Sequence, residues 1–78
     1  MNTKSMNYAY TYAKIDIATN MCIGVQSRTL EIPADELPSN WVELPVNDPE
    51  YFAKYYNWDD GKFYYDAEYT QEYISPLL

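Results

Sequence analysis

No histidine occurs among the 78 residues, and Cys22 is the sole cysteine. An internal disulfide is therefore excluded, and the usual nitrogen ligands of zinc and copper are missing, so neither a metal nor a cofactor is expected. Cys22 has no histidine to activate it as a nucleophile, and its apolar surroundings mark it as a small core residue. Basic residues are scarce too: five Lys and Arg stand against twelve Asp and Glu, a formal net charge of −7. Such a chain repels phosphates and anionic lipid, which proteins recognise mainly through Lys and Arg, so direct binding to nucleic acid or to a membrane is not expected. No apolar run approaches the ~18 residues of a membrane span. The opening MNTKSMNYAY lacks the apolar core of a signal peptide, which predicts a chain not exported by that route. No GxGxxG, P-loop or GxSxG pattern is present, and nothing supports nucleotide binding or acyl transfer.

What remains is a short, aromatic, acidic chain. At 47% hydrophobic residues it is too apolar for the disordered class, and its length allows one domain over residues 1–78. A domain this small buries only about 60% of its unfolded surface, and its core supplies roughly 3–5 kcal/mol. With disulfide and metal closed off, a partner chain is the remaining source of stability.

Alternation from Met6 through NYAYTYAKIDI puts Tyr8, Tyr10 and Tyr12 on one face and Ala9, Thr11, Ala13, Ile15 and Ile17 on the other. In MCIGVQ, Met21, Ile23 and Val25 alternate against Cys22, Gly24 and Gln26, which completes a hairpin with Asn20 at its left-handed turn position. Prolines 33, 38 and 45 then forbid a long helix or a central strand, leaving TLEI and WVEL as short extended pieces around a single turn at Ala34–Leu37. Asp48, Pro49 and Glu50 read as the cap and first turn of one short helix through Ala53. KYYNW, DDG and KFYYD read as a second hairpin, with Gly61 supplying the positive φ. The tail AEYTQEYISPLL suits either a short helix or a final strand, and Leu77 and Leu78 are candidates to dock on this chain or a neighbour. The fold expected is a β-rich α+β domain: two hairpins forming a small antiparallel sheet, with one short helix.

Ten tyrosines against two phenylalanines mean many rings whose hydroxyl needs a polar partner or water. Both faces of the second hairpin are aromatic, so one row can pack inward while the other serves as a contact surface, a use that suits Tyr and Trp. The candidate interface is Tyr55, Tyr56, Trp58, Phe63, Tyr64, Tyr65 and Tyr69. Asp59, Asp60, Asp66, Glu68 and Glu72 form an accompanying acidic surface. An EF-hand loop with its glycine at Gly61 would place Tyr56, Trp58 and Ala67 at ligand positions, which excludes it. A paired-carboxylate hydrolase needs a cleft that so small a domain does not favour, so no catalytic residue is assigned and the chain reads as a non-enzyme.

Lys54-Tyr55-Tyr56, Gly61-Lys62-Phe63-Tyr64-Tyr65-Asp66 and Glu68-Tyr69-Thr70 resemble small proteins encoded in the tail and tail-fibre regions of phages and prophages of Gram-positive bacteria. That resemblance implies a virion or tail-assembly role, located in the virion or the host bacterial cytoplasm, with a protein partner that is either self or a tail component. Asp60-Gly61-Lys62-Phe63-Tyr64-Tyr65 is also similar to the hairpin of choline-binding cell-wall repeats, although no second copy is present to complete a shared aromatic cage. A further expectation comes from charge: like some anti-CRISPR proteins, a small acidic phage protein can occupy the basic nucleic-acid groove of a host defence nuclease.

Overall fold

A computed structural model describes residues 10–78. The part of the expected first strand that includes Tyr8 and Ala9 lies outside these residues. Two three-stranded antiparallel sheets form. In the first, β1 (Tyr10–Ile15) lies between β2 (Cys22–Arg28) and β3 (Trp41–Leu44). In the second, β5 (Lys62–Tyr64) lies between β4 (Tyr55–Asn57) and β6 (Glu72–Tyr73). The expectation of one sheet shared by two hairpins is corrected. Each hairpin recruits its own third strand, WVEL for the first and the tail for the second. Among the described residues the strand pairing between the hairpins is one isolated bridge, Met21 to Tyr55. The reason lies at Ala53, whose φ of 69° turns the chain out of extended geometry just before β4.

Within the first hairpin the turn is as expected, with Asn20 at φ 66°. Strand phase is not. The register runs Lys14 to Gly24 and then Ile15 to Cys22, so Ile23 is the extra residue of a bulge. The bulge reverses the alternation, turning Cys22 and Val25 into the core while Ile23 is exposed. β1 ends at Ile15, and Ile17, expected to continue the face of Ala13 and Ile15, is exposed in the turn.

The expected helix is a single 3-10 turn, Pro49–Tyr51, and no α-helix occurs among the described residues. Its start follows the sequence: Asp48 is extended at φ −129°, its carboxylate accepts from the Glu50 N–H at 2.9 Å, and Pro49 opens the turn. It stops there because Phe52 is at ψ 136° and Ala53 is left-handed. The domain is therefore β-rich, with one helical turn. Ala34–Leu37 does form a single turn on the Pro33 carbonyl, whereas TLEI is not a regular strand.

One core spans both sheets. Ala13, Ile15, Cys22 and Leu44 come from the first, Phe63 and Tyr73 from the second, and Tyr51 from the 3-10 turn. The Tyr51 ring meets Phe63 at 4.9 Å and Tyr73 at 5.1 Å, both edge-on, an arrangement worth ~0.5–1.5 kcal/mol per pair beyond area burial. Asp48, only 2% exposed, accepts the Tyr73 hydroxyl at 2.5 Å. Burial opposes the charged carboxylate, but the Ser75 and Tyr73 hydroxyls and the Glu50 N–H outweigh it and hold the acid below its ordinary range. Burial and the Asp48 charge in turn push the Tyr73 phenol upward. On the opposite face of β1, Tyr12 is buried against Trp41 and its hydroxyl accepts from the Ile32 N–H at 3.0 Å.

A core this small leaves little reserve. Phe63→Ala is expected to cost ~3–5 kcal/mol, as much as such a domain has, and to leave the chain unfolded at 25 °C by circular dichroism. Ile15→Val is expected to cost ~0.5–1.5 kcal/mol and to lower the urea midpoint without changing the slope. Asp48 binds its proton more weakly when folded, so its contribution is complete above about pH 4 and is lost as pH falls further. Asp48→Asn is therefore expected to be less stable than wild type at pH 7, with the gap narrowing below about pH 4 in urea titrations.

Candidate aromatic contact surface

The β4–β5 register sorts the aromatic residues. Tyr56 faces Phe63 and Tyr55 faces Tyr64, and because paired residues share a face, the first pair lies on one side of the sheet and the second on the other. Phe63 is 6% exposed and belongs to the core, with Tyr56 packed against it at 4.8 Å. Tyr55 and Tyr64 occupy the outward side, where the Tyr69 ring lies 5.4 Å from Tyr64. Trp58 stands edge-on to Tyr56 at 4.8 Å and is 43% exposed. Tyr65, 53% exposed, meets Tyr73 edge-on at 5.5 Å.

Several polar tips of these rings are tied down. Asn20 is central: its backbone carbonyl accepts from Tyr56 N–H at 2.8 Å, its side-chain oxygen accepts the Trp58 indole N–H at 3.1 Å, and its amide donates to the Tyr69 hydroxyl at 2.9 Å. The turn of one hairpin thereby holds two rings of the other. The Tyr64 hydroxyl donates to Asp60 at 2.5 Å, and this bond pushes the phenol up to about 12 while holding Asp60 below the usual carboxylate range. Asp60 also accepts from the Lys62 N–H at 2.9 Å, across the left-handed Gly61.

Tyr69 is left-handed at φ 59°, a costly conformation for a bulky residue. Asp66 imposes it. Its carboxylate accepts from the Thr70 hydroxyl and from the Thr70 and Gln71 N–H groups, and its carbonyl accepts from Tyr69 N–H. The Thr70 hydroxyl contributes most to holding Asp66 below its ordinary range. Lys54 completes the arrangement, donating to the Glu50 carbonyl at 2.8 Å with its ammonium 4.8 Å from the Tyr73 ring centre and 5.2 Å from that of Tyr65.

Of the expected interface, the structure thus places Tyr55, Tyr64 and Tyr69 together on the outward side. Trp58 and Tyr65 are exposed beside the inner row, Tyr56 is half-buried, and Phe63 lies in the core. Of the acids, Asp60 and Asp66 are engaged by their own turns, while Asp59, Glu68 and Glu72 are exposed. The Cys22 thiol is buried, donates to the Gly24 carbonyl, and is pushed up by burial. Among the described residues no group of three or more Cys, Asp or Glu is placed to hold a metal. A cleft of about 440 Å³ lies elsewhere, lined by Arg28, Leu30, Ile32, Pro38 and Trp41 among others. Sequence reading passed over it because residues 29–40 look like a connecting segment.

Asn20→Gly keeps the left-handed turn while removing both side-chain bonds, and Asn20→Ala strains the turn as well. In a Trp41→Phe background, both are expected to red-shift Trp58 fluorescence. The alanine variant is expected to be less stable than the glycine variant by about 1 kcal/mol, read from urea midpoints.

Comparisons of the chain with protein-family models, with curated proteins and with solved structures found no match.

Proposed function

We propose that the chain is a non-enzymatic protein-binding module, a small structural or assembly protein associated with the tail of a phage or prophage of Gram-positive bacteria. The observation that carries the binding role is the outward side of the second sheet. There Tyr55, Tyr64 and Tyr69 are half-exposed, Trp58 is exposed beside the inner row, and three of these four polar tips are hydrogen-bonded within the chain. Ordering flexible side chains costs ~0.5–1.5 kcal/mol each on association, and rings already held in place avoid much of that cost. The tail assignment is supported by the resemblance of Lys54–Tyr56, Gly61–Asp66 and Glu68–Thr70 to tail-region proteins, and it locates the protein in the virion or the host cytoplasm.

A nucleic-acid mimic of a defence-enzyme substrate would use freely presented carboxylates. Of the five expected acids, Asp60 and Asp66 are instead bonded to their own loops, leaving Asp59, Glu68 and Glu72, which favours the aromatic surface as the contact.

The test is to express the tagged chain in an induced lysogen, band the particles and identify their proteins by mass spectrometry. Co-banding with tails is expected. Trp58→Ala and Tyr64→Ala are each expected to lower the bound fraction, by roughly thirtyfold in affinity if each removes a hot spot of ~2 kcal/mol, while Asp59→Lys changes little. Absence from particles, together with a host complex that dissolves steeply with salt and is lost in Asp59→Lys, would contradict the proposal and favour the acidic inhibitor. Release by choline would instead identify a wall binder.

A further inference from the structure

A second surface lies at the open edges of the two sheets. Among the described residues β3 and β6 are each an outer strand of their sheet, and both border one cleft of about 260 Å³, lined by Val42 and Glu43 from β3, Lys62 and Phe63 from β5, Glu72 and Tyr73 from β6, and Ile74 and Leu78 after it. Its volume falls below the ~300–1,000 Å³ typical of small-molecule sites.

Hydrogen-bond parity decides which backbone groups face the opening. In antiparallel ladders, pairs alternate between bonded and non-bonded. Ile15 N–H donates to the Asn40 carbonyl at 2.8 Å, so along the β1–β3 register Ala13–Val42 and Thr11–Leu44 are bonded, and Glu43 turns its N–H and C=O to the free edge. In the second sheet Tyr65 N–H donates to the Gln71 carbonyl at 2.8 Å, which makes Phe63–Tyr73 the bonded pair and turns the Glu72 backbone outward in the same way.

We infer that the β3 edge accepts an added strand from another protein, an extended segment whose residues alternate apolar and basic, bonded through the Glu43 backbone. The pattern follows from the faces. A residue paired with Glu43 shares the side of the sheet on which the Glu43 carboxylate lies, and an opposite charge there is favourable. Its two neighbours share the side of Val42 and Leu44, and so turn toward the apolar part of the cleft with Ile74 and Leu78. Glu72 also lines the cleft, and with Lys62 as the one basic residue of the lining the acids stay in excess. Charge also sets aside a second copy of this chain: two β3 edges paired about their centres bring Glu43 near Glu43, between molecules of net charge −7. Main-chain bonds provide the attachment and alternate side chains the selectivity, as in other cases of strand addition to a sheet edge. The β3 edge belongs to the other sheet from the outward tyrosines, and Glu72, which pairs with Tyr64, is where the two surfaces adjoin.

The probe is the capped peptide Thr-Val-Lys-Val-Lys-Val-Thr, titrated into the ¹⁵N-labelled full chain, with the Glu-for-Lys peptide as control. Amide shifts are expected to concentrate at Trp41–Leu44 and Glu72–Ile74, with the Glu43 N–H gaining exchange protection. The control is expected to bind at least tenfold more weakly, and Glu43→Lys to weaken the lysine peptide by a similar factor. The side chain at position 43 is exposed, so an unchanged spectrum of the free variant verifies its fold. Equal binding of both peptides, shifts confined to the tyrosine surface, no binding, or a peptide-free dimer that protects the Glu43 N–H would each overturn the inference.

Discussion

Between Asn20–Cys22 and Ala53–Tyr56 the two halves of the chain are joined by three backbone hydrogen bonds: Cys22 N–H to the Lys54 carbonyl at 2.7 Å, Ala53 N–H to the Cys22 carbonyl at 2.8 Å, and Tyr56 N–H to the Asn20 carbonyl at 2.8 Å. Neither three-stranded sheet is large enough to bury a face by itself. This junction brings Ala13, Ile15 and Leu44 against Tyr51, Phe63 and Tyr73, so that two marginal sheets share one core. The left-handed Ala53 and the bulge at Ile23 are both consequences. Ala53 directs its N–H to Cys22, and the bulge turns Cys22 inward where the halves meet.

The same junction shapes the aromatic surface. Tyrosine is an expensive core residue unless its hydroxyl finds a partner. Two of the buried tyrosines solve that in different ways, Tyr73 through Asp48 and Tyr12 through the Ile32 amide. On the outside, Tyr64 and Tyr69 are held by Asp60 and Asn20, and Trp58 by Asn20 as well. A surface of wide rings with secured tips results without disulfide or metal, because side chains and turns already needed for folding provide the restraints.

Local chemistry was largely legible from the residues. Asn20 and Gly61 mark their turns because each must take positive φ, Asp48-Pro49-Glu50 marks the 3-10 start, and the parity of the second hairpin separates an inner row from an outer one. Long-range consequences were not. Ile23 reads as sharing a face with Val25 because a bulge is set by the register between strands rather than by alternation within one. The 3-10 turn reads as a longer helix because Ala53 offers no sign of a left-handed conformation that is imposed by its bond to Cys22. In the aromatic site, the rings were visible but their restraints were hidden. Asn20 lies 38 residues from Trp58 and 49 from Tyr69, and no spacing rule reaches that far. Asp66 as the anchor of Tyr69 is closer at hand, since an Asp followed at i+4 by Thr suits a side-chain-bonded loop.

Because the outward rings take their restraints from a turn in the other half of the chain, the arrangement holds only if the halves unfold as one unit. Native-state amide hydrogen exchange in low urea measures this directly at Cys22, Ala53 and Tyr56. If the junction unites the sheets, these amides exchange with the same opening free energy and urea dependence as Ala13 and Phe63 in the core. Exchange at Ala53 and Tyr56 that is much faster than at Ala13 and nearly independent of urea would mean that the second sheet opens alone, and would contradict a pre-arranged aromatic surface.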